Sequence, residues 1–373
     1  MKTRVCHITS AHSANDIRIF HKECVSLVEY GYEVHLVATG TLSPDAKGVI
    51  HHVLPMSLRF GRLGRTLFRS FHAYRLAKAT QATLFHIHDP ELLPYALLLK
   101  RQGNYVIYDA HEDVPRDVLT KAWIPLYLRP GIAWLIEKIE NFIARRIDKV
   151  IAATPHICKR FKNVEAHSVE VKNYPKLNEV SSVFSKKRLD SDLPTLCYVG
   201  VISQKRGIVE MIKAVETLAA RLILAGTFID SKTEKLVRDL PGWSNVDFRG
   251  SVSRQVIADI FSESQIGLCV LHPSVTYIES LPIKLFEYMS AGLPVVSSNF
   301  LNWRTIVEQT NSGLCVDPMN VSEIIDAIKW ILDNPEEAKK MGENGINAVE
   351  NNYNWDTEAD SLSSVYYQLI NPH

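Results

Sequence analysis

A short apolar run followed by a helix-forming stretch, repeated along the chain and restarted once midway, most limits the folds open to these 373 residues. In the first half the strand-like runs are Arg4–Thr9, Glu33–Ala38, Gly48–Leu54, Thr83–His88, Tyr105–Asp109, Lys149–Ala153 and Ser168–Lys172. Helical stretches over Ile17–Tyr30, Arg62–Ala79, Leu92–Arg101 and a segment ending near Arg146 fall between them. The series restarts with Thr195–Val199, Arg221–Ala225, Asn245–Phe248, Ile266–Leu271, Val295–Ser298 and Gly313–Val316, and closes with helices over Val321–Asp333, Pro335–Glu350 and Asp356–Ile370. Strands alternating with helices at this spacing predict βαβ units and a mostly parallel sheet. The expected fold class is α/β, with two doubly wound, Rossmann-like domains. They span residues 1–175 and 194–355, joined by a polar linker over 176–193, with a last helix over 356–373 expected to return to the first domain. Such domains are expected to face each other across a cleft. Ligands bind at the carboxyl ends of strands in sheets of this kind. The loops carrying His12, Asp16, His88, Asp89, His111 and Glu112 all follow strands, so one rim is expected to hold them.

A hydrophobic content of 46 % and a charged content of 22 % are those of a globular chain. The formal charge of +1 hides an asymmetry. Residues 1–180 carry 25 Lys and Arg against 17 Asp and Glu, and residues 181–373 carry 17 against 24. The halves are expected to meet different partners, the basic one an anionic surface or acceptor. The excess is too modest, and recognised modules too absent, for a nucleic-acid binder. Cys6, Cys24, Cys158, Cys197, Cys269 and Cys315 form no CxxC pair and read as reduced core thiols of a cytoplasmic protein. The first residues, MKTRVCHITS, read as a strand and not as a signal peptide, and no run of about 18 apolar residues exists to span a membrane.

Neither half has GxGxxG after its first strand, and GxxxxGK[ST] and GxSxG are missing too. These absences argue against a nicotinamide dehydrogenase, a P-loop enzyme and an α/β-hydrolase. What the second half offers is GVISQKRG, Gly200–Gly207, after a strand and before a helix. Gly200 lets a ligand approach the backbone, and a helix N-terminus favours an anion. Lys205 and Arg206 oppose the helix dipole there, a conflict that a diphosphate would resolve. A solvated basic turn is the plain alternative. In ESLPIKLFEYMSAGLP, Glu279 and Glu287 stand eight positions apart around Lys284, and Pro282 puts Glu279 in a loop and Glu287 on a helix. Two acids so placed can grip vicinal hydroxyls of a sugar or ribose; two solvated glutamates would look the same. His111, in YDAHEDVP, suits a general acid/base or a donor to a sugar hydroxyl, or else a structural cap. His86 and His88 with Asp89 suggest a metal, but no third ligand of clear spacing follows, so none is expected.

Arg59, Arg62, Arg65 and Arg69 fall on one arc of a helical wheel over Arg59–Lys78, beside Phe60, Leu63, Leu67, Phe71 and Tyr74. That pattern fits either an anionic membrane surface or an ordinary helix with a solvated basic face. Trp123–Leu128 (WIPLYL) is a second candidate membrane contact.

ESLPIKLFEYMSAGLPVV resembles the donor segment, E-x7-E, of retaining glycosyltransferases of family 4 with the GT-B fold. HSANDIRIFHKE, HIHDPELLP, YDAHE, the YVG…RG turn and YNWDTEADSLSSVYYQL look like the same family, in the same order. The resemblance implies transfer of a sugar from a nucleotide diphosphate donor with retention of configuration and without cofactor or metal. By motif, Glu287 would hold the ribose, Glu279 the donor sugar near its C3 hydroxyl, and Arg206 the diphosphate, while His111 would sit beside the reacting carbon. The donor-binding set is Gly200, Lys205, Arg206, Lys284, Leu285 and Glu287, the catalytic pair His111 and Glu279, and the acceptor side His12, Asp16, His88, Asp89 and Glu112. A glycan or lipid-linked acceptor in envelope polysaccharide assembly, reached at the inner face of the membrane, is the implied partner. The chain departs from the pattern at SAHSAND, where many members have a glycine pair, at Val201, where many have arginine, and at Pro282, where many have glycine. The competing readings are a nucleotide-sugar 2-epimerase of the same fold and a non-catalytic sugar-nucleotide binder.

Overall fold

The computed structural model describes residues 2–43, 46–55, 62–121, 123–177 and 193–371, with only the backbone of residues 62, 63 and 65. Most of the expected linker and the start of the basic, aromatic stretch at Arg59 lie outside the described residues. The chain divides into two compact units, Met1–Asn173 with Trp355–His373, and Tyr174–Asn354.

The first unit holds seven strands: β1 Arg4–Ser13, β2 Glu33–Thr39, β3 Ile50–Leu54, β4 Leu84–Ile87, β5 Tyr105–Ala110, β6 Lys149–Ala152 and β7 Ser168–Glu170. They lie in the order β3-β2-β1-β4-β5-β6-β7, and every pairing is parallel. Strand order reverses between β1 and β4, so the loops leaving these two strands border the crevice where such sheets bind ligands. The core strands are apolar on both faces because helices cover both, which is why they read as continuous hydrophobic runs. Strand β1 runs on past Thr9 to Ser13 through an irregularity after Ile8. The helix expected over Ile17–Tyr30 is two pieces, a π-helical segment Ile17–Cys24 and an α-helix Val25–Glu29. Asp16 starts the first piece: its Oδ1 accepts from Arg18 N and Ile19 N, both at 2.9 Å. Helix Trp355–Ile370 belongs to this unit. Trp355 is fully buried, its Nε1 donating to Ser26 Oγ at 2.9 Å.

The second unit repeats the plan with β8 Thr195–Val199, β9 Arg221–Ala225, β10 Val246–Gly250, β11 Ile266–Cys269, β12 Val295–Ser298 and β13 Gly313–Val316. The order is β10-β9-β8-β11-β12-β13, again parallel, and the reversal falls between β8 and β11. The Gly200 turn leaves β8 at that point.

Candidate functional site

In the second unit, β8 ends in a turn that requires glycine twice. Gly200 has φ of +137°, and a Cβ there would lie 2.9 Å from Lys284 Nζ and 3.8 Å from a guanidinium nitrogen of Arg206. Two cations therefore flank one bare stretch of backbone. Gly207 has φ of +74°, and a Cβ there would stand 2.0 Å from the Val270 carbonyl oxygen. Helix Ile208–Leu218 starts directly after it, with no side chain capping its first N–H groups, the arrangement that attracts an anion. Lys284 is buried, its Nζ 3.5 Å from the Tyr198 hydroxyl and 4.8 Å from the ring centroid. Burial pulls its ammonium below the ordinary lysine value. Arg206 is half-buried; burial opposes its charge, but the phenols of Tyr198 and Tyr277 more than offset this and raise its pKa. Among the described residues neither cation has a carboxylate within ion-pair distance. Desolvated positive charge without a counter-ion is costly. Lys205 is exposed beside it.

Helix Ile283–Ser290 begins at Pro282 and carries Lys284 and Glu287. Glu287 receives Arg254 at 2.7 Å; Arg254 is the more exposed partner, 54 % against 19 %. Glu279 ends the short helix Val275–Ile278 and accepts from Asn302 Nδ2 at 3.4 Å. Its loop is held by Trp303, whose Nε1 donates to the Ser280 carbonyl at 2.6 Å. Leu285 is not brought to this surface: its side chain is wholly buried in the core and its N–H donates to the Pro282 carbonyl.

In the first unit, His12 and Asp89 meet where β1 and β4 end. His12 Nδ1 lies 3.0 Å from Asp89 Oδ1. Asp89 Oδ2 also accepts from Thr9 Oγ1 at 2.8 Å and Ser10 N at 2.6 Å. The hydrogen bond to Asp89 raises His12 to about 9. Burial would raise Asp89, but His12, Thr9 and Ser10 hold it down at about 2. His111 follows β5, its ring centroid 5.0 Å from that of His12, edge to face. Its Nδ1 is 3.6 Å from Asp109 Oδ2, too long for a hydrogen bond but close enough for charge pairing. Burial opposes protonation of His111, and the Asp109 carboxylate overcomes it and raises the pKa. Asp109 is fully buried and gripped by Arg18, Nε to Oδ2 at 2.9 Å and Nη2 to Oδ1 at 2.8 Å. Glu112 is exposed next to His111. His88 is buried, and the Asp16 side chain is engaged in its helix cap.

Beneath this surface the fold joins His86 and His88 to residues that the sequence did not single out, His7, Glu23 and Tyr366. His7, His86, His88 and Glu23 are fully buried together, and Tyr366 joins them from the last helix. Their ligand atoms lie within 4.8 Å of one another, as do those of His88, Asp109 and His111, the spacing of a metal-ligating set. Only the alternation of His86 and His88 was legible, since the partners come from distant segments. Arg254 was likewise missed, because nothing local marks it.

Residues 19–171 match the family model described as Glycosyltransferase Family 4, and residues 181–348 the model described as Glycosyl transferases group 1. The chain is similar to the D-rhamnosyltransferase WbpZ of Pseudomonas aeruginosa, 22 % identical over 366 residues, 91 % of this chain and 90 % of that protein. It is also similar to the alpha-D-kanosaminyltransferase of Streptomyces kanamyceticus, 27 % identical over 184 residues, 48 % of this chain; that match spans only 46 % of the relative's length. Among solved structures, the sucrose-phosphate synthase of Thermosynechococcus elongatus superposes with a TM-score of 0.79 at 19 % identity, covering 99 % of both chains. The Anabaena protein HepE, solved in complex with UDP-glucose, gives 0.73 at 12 % identity, covering 98 % of this chain and 99 % of that one. At these identities the structures speak for the fold.

Proposed function

The chain belongs to the family 4 glycosyltransferases and has their GT-B fold, and from that premise we propose that it transfers a sugar, with retention of configuration and without a metal, from a nucleoside diphosphate donor to a hydroxyl of a glycan or lipid-linked acceptor. The observation that carries the donor half is the pair of counter-ion-free cations, Arg206 and Lys284, flanking Gly200. They neutralise the diphosphate as it leaves, together with the uncapped helix N-terminus. Glu287 holds the ribose hydroxyls once the exposed Arg254 side chain gives way, and Glu279 holds the donor sugar. The acceptor hydroxyl attacks from the face that the diphosphate leaves, and a phosphate oxygen takes its proton. His111, protonated and steadied by Asp109, donates to the donor sugar beside the reacting carbon.

The acceptor half rests on the first unit's surface. Trp123, Leu126, Tyr127, Trp134, Leu135 and Phe142 are all more than half exposed, among Lys121, Lys138, Arg145 and Arg146. Exposed aromatics fringed by cations suit the interface of an anionic bilayer, so we place the enzyme peripherally at the inner face of the membrane, working on a lipid-linked envelope glycan. No helix among the described residues is long and apolar enough to cross a membrane.

Thermal melts with UDP-, GDP- and dTDP-sugars test the donor assignment. At a hundredfold excess over Kd the right donor adds about 2.7 kcal/mol, a rise of several degrees for a unit of this size. Arg206→Ala should weaken that nucleotide by about tenfold to a hundredfold, the worth of one charge-assisted hydrogen bond. Equal shifts in wild type and variant would remove Arg206 from the donor site.

A further inference from the structure

The buried groups beneath His111 join into a single line of hydrogen bonds. His86 Nδ1 meets the Tyr366 hydroxyl at 2.8 Å, and that hydroxyl meets His7 Nε2 at 3.1 Å. His7 Nδ1 meets His88 Nε2 at 2.9 Å, and His88 Nδ1 meets Asp109 Oδ2 at 3.1 Å. We propose that Tyr366, His7 and His88 are positioning residues for His111: with His86 they form a one-way hydrogen-bond chain that ends on Asp109 and fixes the carboxylate beside the His111 ring. The inference rests on the role given above to His111.

The direction of every bond follows from its last member. Asp109, gripped by Arg18, is ionised and only accepts. His88 Nδ1 must therefore carry a proton. Burial keeps His88 neutral, so its Nε2 is a bare acceptor and His7 Nδ1 donates to it. His7, also kept neutral by burial, then accepts at Nε2 from the Tyr366 hydroxyl. That hydroxyl has only one proton, so His86 Nδ1 must donate to Tyr366 oxygen. All three imidazoles end with the proton on Nδ1. Each bond polarises the next, and the line strengthens donation to Asp109.

The same bookkeeping speaks against a metal in the His7, Glu23, His86 and His88 set. A metal needs bare imidazole lone pairs, and those of His7 and His88 are already taken by donors, leaving only His86 Nε2. Glu23 Oε1 lies 3.1 Å from Arg18 Nε and its Oε2 stands 3.8–3.9 Å from three imidazoles; burial, with Asp109 nearby, raises its pKa well above the ordinary carboxyl value, which disfavours the anionic form a metal would need. Arg18 thus lies between two buried carboxyl groups, Glu23 and Asp109. Because Tyr366 sits on helix Trp355–Ile370, docking of that helix on the first unit completes the line.

Nitrogen NMR on the full chain with 15N-labelled histidine tests this. The expected result at neutral pH is that His7, His86 and His88 are neutral and carry their proton on Nδ1. An Nε2–H form of His7 or His88, or metal-type shifts with a stoichiometric metal in the purified protein, would overturn it. In His88→Leu the carboxylate loses a donor, binds the His111 proton more tightly, and the His111 titration midpoint rises; in His88→Asn the amide restores a donor and the midpoint returns toward wild type. Tyr366→Phe should free His86 from its tautomer and lower kcat severalfold with the donor KM within about twofold. A His111 midpoint the same in His88→Leu as in wild type would also overturn the proposal. If the wild type turns over no donor, the assignment as a transferase fails, while the ring tautomers still decide the chain.

Discussion

At the scale of single residues, histidine protonation dominates the first unit, and it makes stability depend on pH in two opposite senses. His12 is raised to about 9 by Asp89. A raised group stabilises fully below its unfolded value of about 6.5 and loses that contribution as pH climbs through its folded value. His111 shifts in the same direction through Asp109. His7, His86 and His88 are lowered by burial. Below about pH 6.5 the unfolded chain takes up protons that these buried rings refuse, so stability falls toward acid. Melting temperature measured from pH 5 to 9.5 should therefore peak near neutrality and fall on both sides. His12→Ala should flatten the alkaline limb and leave the acid limb in place. An alkaline limb equally steep in the variant would show that the His12–Asp89 pair does not carry it.

Elements divide sharply into those the sequence reveals and those it hides. The strands were legible because parallel strands covered on both faces are mostly apolar, and runs with Cys197, Leu222 or Val296 leave no ambiguity. The π-helical segment Ile17–Cys24 was not, since its apolar spacing differs too little from an α-helix; it carries Arg18 and Glu23 into the buried polar cluster. WIPLYL was read as a candidate membrane contact, and its Trp123, Leu126 and Tyr127 are exposed. Its extension onto helix Arg129–Ala144 was invisible, because an apolar stripe at helical spacing looks the same whether it faces a core or a bilayer. There Ala133, Ile132 and Ile136 pack with Val118 and Ile124, while Trp134, Leu135, Ile139 and Phe142 point outward. Lys138 lies 5.9 Å from the Trp134 ring and Arg146 3.5 Å from that of Phe142. On the helix Arg62–Ala79, Leu67 and Phe71 are exposed as well. Replacing Trp134 and Phe142 by glutamate should lower binding to anionic vesicles by more than tenfold, since each ring withdraws about 2 kcal/mol of apolar surface from water. Melting temperature should hardly change, because neither ring is in the core. Unchanged vesicle binding would exclude this face from the membrane contact.

For the whole molecule, the two sheets share one plan, but their charge and chemistry differ. The second unit offers two cations with no counter-ion among the described residues around a glycine turn, and the first offers a histidine whose pKa a buried carboxylate raises, with an apolar, basic-fringed surface outside. The groups proposed to hold the donor crowd into two short segments, Gly200–Gly207 and Glu279–Glu287, which is what made them readable as a candidate site. Pro282, which lacks the N–H that glycine would offer, starts helix Ile283–Ser290 and so aims Lys284 at Gly200. The first unit's site was only partly legible, since it is assembled from β1, β4, β5 and the last helix. Retaining sugar transfer from a nucleoside diphosphate is decided by incubating the chain with the stabilising donor and a lipid-linked acceptor, and reading the anomeric configuration of the product by NMR. A new glycosidic bond with the donor's own configuration is the predicted result; an inverted linkage, or an epimerised donor formed without any acceptor, would contradict it.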